Sequence, residues 1–178
     1  GILYFGCEGA VIEFDGISWK SIDLPNKSTV RSLAIDEEGI IYVGGVSEFG
    51  YLQPDNTGSL YYISLIPQVP EEKRSFPDVW SVNIIHDEIL FQSAERLFRY
   101  KDNKIVTLEL NDSYHRSFVI DNTFYINQKG IGLSSIINDS IQVLPKGDFF
   151  KDKEISYMSL FADGIILIGT RRNGLFLY

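Results

Sequence analysis

The sequence predicts an all-β chain, a β-propeller segment of about four to five four-stranded antiparallel blades, and three observations carry that prediction. One short phrase recurs five times: an apolar strand ending in a small or polar residue, a polar corner, and a second apolar strand. The copies are Tyr4-Phe5-Gly6-Cys7, Tyr42-Val43-Gly44-Gly45, Leu90-Phe91-Gln92-Ser93, Tyr125-Ile126-Asn127-Gln128 and Leu167-Ile168-Gly169-Thr170, starting about 35 to 48 residues apart, a spacing typical of propeller blades. Asn, Asp and Gly punctuate the chain at hairpin spacing, and these residues tolerate the positive φ that tight hairpin turns require. Finally, no window of about 12 residues carries apolar side chains at intervals of three and four, so little helix is expected.

The flanking elements recur as well. Opening strands precede four of the copies, at Val30 to Ile35, Val79 to Ile84, His115 to Ile120 and Ile155 to Leu160, each apolar or alternating over strand length. Closing strands follow four of them, at Trp19 to Pro25, Tyr61 to Pro67, Ile105 to Leu110 and Ser140 to Pro145. Three of these end in a proline, which removes a ladder donor and stops the sheet at its outer edge. Turn signals between the first and second strands are Asp36 to Gly39, His86 to Glu88, Asp121-Asn122 and Ala162 to Gly164. Between the third and fourth come Asp15-Gly16, Asp55 to Gly58, Asp102-Asn103 and Asn138-Asp139. Together they define eighteen strand candidates in blade parts 1–28, 29–78, 79–114, 115–154 and 155–178. Pro67 to Asp78, with Pro-Glu-Glu-Lys-Arg at its middle, reads as a charged insertion between two blades. The first blade begins at its second strand and the last stops after its third, which predicts a piece of a larger ring whose remaining blades belong to the same chain. Unpaired sheet edges at both ends would be an aggregation liability unless covered.

Composition bounds the function. With 44% hydrophobic and 13% aromatic residues, the 178-residue chain can build sheet-to-sheet cores and is far from a disordered profile. It contains no run of 18 apolar residues and no signal peptide. A single cysteine, Cys7, forbids an internal disulfide and reads as a small buried filler. The net charge of −8, with scattered bases, argues against nucleic acid as the partner.

No motif points to catalysis, a metal or a cofactor. His86 and His115 are 29 residues apart at non-equivalent places, and two histidines alone would leave a metal under-ligated; both read as surface turn or edge residues. Asp15, Asp36, Asp87, Asp121 and Asp163 resemble a set of paired acids, but their equivalent turn positions give a simpler cause. The corners between second and third strands are more informative, because in a propeller they emerge together at one end. They supply Glu48, Glu95, Arg96, Lys129, Arg171 and Arg172, a mixed polar ring suited to hydrogen-bonding a ligand. The opening strands begin at the same end and add Arg31, Trp80 and Arg116, where a Trp beside charged donors suits a sugar. The candidate ligand-binding residues are therefore Glu48, Trp80, Glu95, Arg96, Lys129, Arg171 and Arg172.

The stretch Ile155 to Leu175, with Asp163-Gly164, Ile-Leu-Ile-Gly-Thr and Gly174-Leu175, resembles the two-component regulator propeller repeat. Val30 to Tyr51, with Ile-Tyr-Val-Gly-Gly and Glu48-Phe49-Gly50, is similar to the variant found in Bacteroidetes sensor proteins. The copies at Leu90 and Tyr125 depart from the pattern, replacing its Gly with Gln92 and Asn127. The resemblance implies the periplasmic sensor region of a membrane-anchored regulator, followed by a triple-tyrosine sandwich domain, one membrane helix, and a histidine kinase or DNA-binding output. It also implies an oligosaccharide or other polar ligand, a homodimeric receptor, and no reaction in this segment. The rival readings are a propeller enzyme acting on glycans and a scaffold for protein partners. The Ser/Thr-x-Asp-x-Gly-x-Thr-Trp box of the first and the Gly-His and Trp-Asp pairs of the second are missing from the places each requires.

Overall fold

A computed structural model describes residues 1–178 as eighteen strands in five antiparallel sheets. The first sheet holds β1 (Leu3–Gly6), β2 (Ala10–Phe14) and β3 (Trp19–Asp23). The second holds β4 (Val30–Ile35), β5 (Ile41–Gly45), β6 (Phe49–Pro54) and β7 (Leu60–Ser64). The third holds β8 (Ser81–Ile85), β9 (Glu88–Gln92), β10 (Arg96–Lys101) and β11 (Lys104–Glu109). The fourth holds β12 (Ser113–Ile120), β13 (Thr123–Gln128), β14 (Gly132–Ile137) and β15 (Ser140–Val143). The last holds β16 (Ile155–Ala162), β17 (Ile165–Thr170) and β18 (Gly174–Leu177). Each sheet is a meander of hairpins, and the inner strands β4, β8, β12 and β16 lie side by side, which is the blade arrangement of a β-propeller.

The turns explain the pairing. Asp102-Asn103, Asp121-Asn122 and Asn138-Asp139 have φ near +50° at both central residues, the geometry whose twist matches that of the strands it joins. Asp15 accepts from the Ile17 and Ser18 amides, Asp36 from the Ile40 amide, and Asp55 from the Thr57 and Ser59 amides. Of the recurrent acids, Asp15 and Asp36 bind turn amides and Asp121 takes the positive φ of its turn, while Asp87 accepts from Lys101 Nζ. Blade four begins at Ser113, two residues before the predicted boundary at 115, because a register shift between Ser113 and Ser117 lengthens β12.

Four apolar seams join the five blades, one per junction. Val11, Ile22 and Leu24 of the first blade meet Val30, Ile41, Val43 and Leu52 of the second. Tyr42 and Phe49 meet Val82, Phe91 and Phe98 in the next seam. Leu90 and Leu97 meet Phe124 and Ile126, and Leu133 meets Ile155, Met158, Ile166 and Ile168. Period-2 alternation therefore aims successive side chains at the two neighbouring blades rather than at core and solvent. Phe49 stands 4.6 Å from Phe91 and 4.8 Å from Phe98 between ring centroids; such pairs are worth about 0.5–1.5 kcal/mol beyond burial.

Two expectations are corrected. The stretch from Pro67 to Asp78 is not merely a charged insertion: Val69 and Phe76 are buried in the second seam, and its charged residues cover them. Cys7 is exposed rather than buried, since it lies just past β1 in the corner where its amide donates to the Ala10 carbonyl. The outward faces of the two end blades are apolar, with Leu3, Phe5 and Trp19 exposed on the first and Tyr157, Leu175 and Leu177 on the last.

The third residue of the recurring phrase faces the following blade in the first four copies. A Cβ at Gly6 would meet Val30 Cγ1 at 2.6 Å, and one at Gly44 would meet Val79 Cγ1 at 2.7 Å and the Val79 carbonyl at 3.0 Å. At Gly169 it would meet only Tyr157 Cβ at 3.3 Å and Leu175 Cδ2 at 3.5 Å. Gly44→Ala should therefore cost about 1–3 kcal/mol by overpacking. Gly169→Ala should be near neutral or stabilising, because Ala restricts the unfolded chain. Urea unfolding of the two variants checks this, and equal losses would show that the junction does not discriminate.

Candidate functional site

The site is assembled by hydrogen bonds that cross from one inner strand to the next. Ser32 Oγ donates to the Val79 carbonyl at 3.0 Å, and Ser81 Oγ donates to the His115 carbonyl at 3.3 Å. Behind the second of these lies a buried polar group. Gln92 Nε2 donates to Ser113 Oγ at 2.9 Å and to the Tyr114 carbonyl at 3.1 Å, while Asn83 Nδ2 donates to Ser117 Oγ at 2.7 Å. Ser117 Oγ in turn lies 3.3 Å from Gln92 Oε1. Every member is partnered, so the group fixes the strands instead of costing stability.

At the beginnings of these strands the ladder registers shift, between Val30 and Ser32 and between Ser113 and Ser117, and such bulges re-aim side chains. The residues brought together are Arg31, Trp80 and His115, one from each of three successive blades. The Arg31 guanidinium lies 5.0 Å from the Trp80 ring centroid. The His115 ring stacks on Trp80 at 4.2 Å with 15° between planes. Trp80 thus has a neighbour on the side of each adjoining blade, and Arg31 is oriented by Asp78 through an Nε contact of 2.5 Å.

This ladder borders a concavity of about 500 Å³ with Ser81, Arg116, Ser117 and Phe118. Its wall is rich in donors. Indole and guanidinium groups donate only, the Trp80 indole N–H and the Arg116 guanidinium have no partner within the chain, and Arg31 commits only its Nε. No carboxylate lines it. The opposite end is the reverse: a concavity of about 610 Å³ is lined by Asp36, Glu37, Glu38 and Asp87 beside His86, with no Lys or Arg. His86 and His115 therefore lie at opposite ends of the blades and belong to no common site.

Of the residues that the sequence singled out, Trp80 is in this concavity and the others stand apart from it. Glu48 is a correction. It is buried and accepts from the Phe49 amide at 2.9 Å, Ser64 Oγ at 2.8 Å and Tyr62 Oη at 3.1 Å, so it braces a corner and is closed to ligand. Arg96 donates to the Ser75 carbonyl at 2.5 Å and pairs with Glu109 at 3.3 Å, tying the 67–78 stretch to the third blade. Lys129 pairs with Asp112 at 3.0 Å and lies over Tyr114, and Arg171 pairs with Glu154 at 3.3 Å. Glu95 and Arg172 are exposed and do not line the concavity. The corners do share an end with the opening strands, but they sit farther out in the blade than the inner strands. Sequence reasoning set His115 aside as an edge residue; its offset before the recurring phrase, close to that of Trp80, is the signal that pairs them.

No protein-family model and no curated protein matches the chain. Solved structures do. The chain is similar to a streptogramin B lyase, with a TM-score of 0.64 and 16% identity over 100% of this chain and 65% of the lyase. It is also similar to the WD40 β-propeller domain of Doa1, with a TM-score of 0.68 and 13% identity over 99% of this chain and 60% of that one. The extracellular domain of a B. thetaiotaomicron hybrid two-component system aligns with a TM-score of 0.38 and 13% identity over 99% of this chain and 32% of its own length, a likeness too low to carry weight. The chain spans less than two thirds of the length of the lyase and of the Doa1 domain. At these identities the likeness shows the fold, and the fold is a β-propeller.

Burial pushes the Glu48 carboxyl above its ordinary value, against the opposing pull of Ser64, Tyr62 and the Phe49 amide. Burial and the Glu48 charge push the Tyr62 phenol upward in turn. A carboxyl raised in the folded state destabilises the fold above its folded-state value, and that cost is relieved as pH falls toward its value in the unfolded chain. Glu48→Gln should therefore flatten the pH dependence of the urea midpoint across this acidic window. Glu48→Ala, which leaves three donors without their acceptor, should cost about 1–3 kcal/mol at neutral pH. Identical pH profiles for wild type and Glu48→Gln would contradict the assignment.

Proposed function

We propose that this chain is part of the extracytoplasmic ligand-sensing region of a bacterial signal-transduction regulator, binding an oligosaccharide or another polar ligand without transforming it. The observation that carries the reading is the Arg31–Trp80–His115 ladder beside a concavity of about 500 Å³ with unpaired donors. Concave surfaces with a few convergent polar groups and aromatic walls are the usual form of small-ligand sites. The sensing role draws support from the resemblance of Ile155 to Leu175 and Val30 to Tyr51 to the two-component regulator propeller repeat. A periplasmic location, a homodimeric receptor and an output domain elsewhere in the receptor accompany that role as parts of the same proposal. The turn acids support binding over catalysis, since Asp15, Asp36 and Asp55 are occupied by their own turn amides.

Within this reading Trp80 is a wall rather than an open stacking platform, because Arg31 and His115 lie along its ring. Ligand contact then falls to the indole N–H, the guanidinium groups and the outer face of His115. Isothermal calorimetry of the 178-residue chain against a glycan panel should find a binder, and Trp80→Ala should weaken it at least about tenfold, the scale of one lost contact of 1.4 kcal/mol. Arg171→Ala and Arg172→Ala should bind as wild type does. Turnover of a glycan would replace this reading with an enzyme, and full affinity in Trp80→Ala would move the site elsewhere.

A further inference from the structure

Arg116 has no structural employment. Of the seven arginines, Arg31, Arg96, Arg99 and Arg171 pair with carboxylates, and Arg74 donates to the Val69 and Pro67 carbonyls. Arg116 and Arg172 have neither kind of partner, and of these two Arg116 lines the concavity beside the ladder. A guanidinium left without an acceptor in a chain of net charge −8 stands out, because 24 carboxylates are on hand to pair with it. Four of them line the opposite concavity and none lines this one.

The donor inventory sharpens this. Arg31, Trp80 and Arg116 together offer N–H groups and no acceptor, and the acceptors beside them are limited to the Ser81 and Ser117 hydroxyls, both already bonded within the chain, and one imidazole nitrogen of His115. A neutral sugar hydroxyl both donates and accepts, and would find its donor side poorly answered here. An anionic group accepts only, and the guanidinium fork matches carboxylate and sulfate geometry with two parallel bonds. We infer that the ligand of this concavity is an acidic oligosaccharide, its carboxylate or sulfate group held by Arg116, with the free Nη groups of Arg31 on the far side of Trp80 left to a second acceptor of the same ligand. The inference rests on the proposed binding role of the ladder and adds the ligand's charge to it.

The acidic opposite end contributes to selection between the two ends. A polyanion is repelled from the Asp36, Glu37, Glu38 and Asp87 surface and attracted to the Arg31 and Arg116 surface, so orientation of approach follows from the charge distribution. Attraction of this kind weakens as salt rises, because exposed charges are screened over about 10 Å at 0.1 M ionic strength.

The test is calorimetric titration of the 178-residue chain with trigalacturonate, with the neutral galactotriose of the same linkage, and with a sulfated galactose trisaccharide. At least one anionic trisaccharide should bind tenfold or more tightly than the neutral one, and raising salt from 50 to 300 mM should erode that preference. Preference for the carboxylate or for the sulfate arm identifies which anion Arg116 selects. Arg116→Gln, exposed on the strand and expected to keep the wild-type melting temperature, should bring the anionic ligand down to neutral-sugar affinity. Equal binding of neutral and anionic sugars, or an unchanged preference in Arg116→Gln, overturns the acidic-ligand inference while leaving the binding role intact. Failure of all three to bind, with a neutral glycan of another type binding in a Trp80-dependent way, also overturns the inference alone. Failure of every glycan overturns both.

Discussion

Everything in this molecule depends on how the second strand of one blade meets the first strand of the next. The meeting point is a single repeat position, and the chain solves it in two ways. At Gly6 and Gly44 the side chain is deleted so that Val30 or Val79 of the following blade can press against the backbone. At Gln92 and Asn127 the side chain is kept and crosses the junction as a hydrogen-bond donor, to Ser113 Oγ and the Tyr114 carbonyl in one case and to the Phe150 and Lys153 carbonyls in the other. Either solution leaves no unmatched donor at the contact, although Asn127 Oδ1 is left without a donor of its own, and a junction lacking both would have cavity or desolvation costs of a few kcal/mol. The proposed binding surface inherits this choice, because Gln92 anchors the strand start that carries His115 against the strand start that carries Trp80.

The segregation of charge between the two ends has a structural half and a functional half. In a meander, the turns between first and second strands, and between third and fourth, fall at one end. Those turns favour Asp and Asn for backbone reasons, so the acidic end follows from the fold. Nothing in the fold requires bases at the other end. Arg31 takes a half-buried neighbour, Asp78, to orient it, and Arg116 has no ion-pair or hydrogen-bond partner in the chain. Side chains that the architecture does not explain are the ones to which a ligand has the strongest claim.

Period and turn chemistry made the architecture legible in the sequence. The eighteen strands and the five sheets follow from the recurring phrase and from Asp-Asn and Asn-Asp pairs whose φ values are positive as expected. The site was legible only in part. Glu48 looked like a ligand residue because it occupies a corner, but corner position does not reveal that Tyr62 and Ser64, 14 and 16 residues away, close over it. Arg96 was misleading for a related reason, since its partners lie in the 67–78 stretch, whose buried Val69 and Phe76 are hidden in the sequence among charges. The replacement of Gly by Gln92 and Asn127 read as erosion of the repeat, whereas in space it is a second way of joining blades. What the sequence hid in each case was a contact between residues far apart along the chain, within the second blade for Glu48 and across a junction for Arg96, Gln92 and Asn127, which no local pattern records.

That same dependence on junctions is what the proposed sensing role would use. Arg31, Trp80 and His115 come from three blades, so a ligand that touches all three binds best at one relative placement of those blades. The bonds that set the placement on the inner wall are single hydroxyl-to-carbonyl contacts, Ser32 to Val79 and Ser81 to His115, each worth about 0.5–1.5 kcal/mol net. The seams behind them hold large aromatic and aliphatic side chains at crystal-like density and resist gradual deformation. A ligand with a few kcal/mol of differential affinity can therefore shift the population between two closely spaced arrangements of the inner strands while leaving the seams intact. Under the proposed sensing role, binding energy at this surface would be carried outward as a small rigid-body displacement of blades.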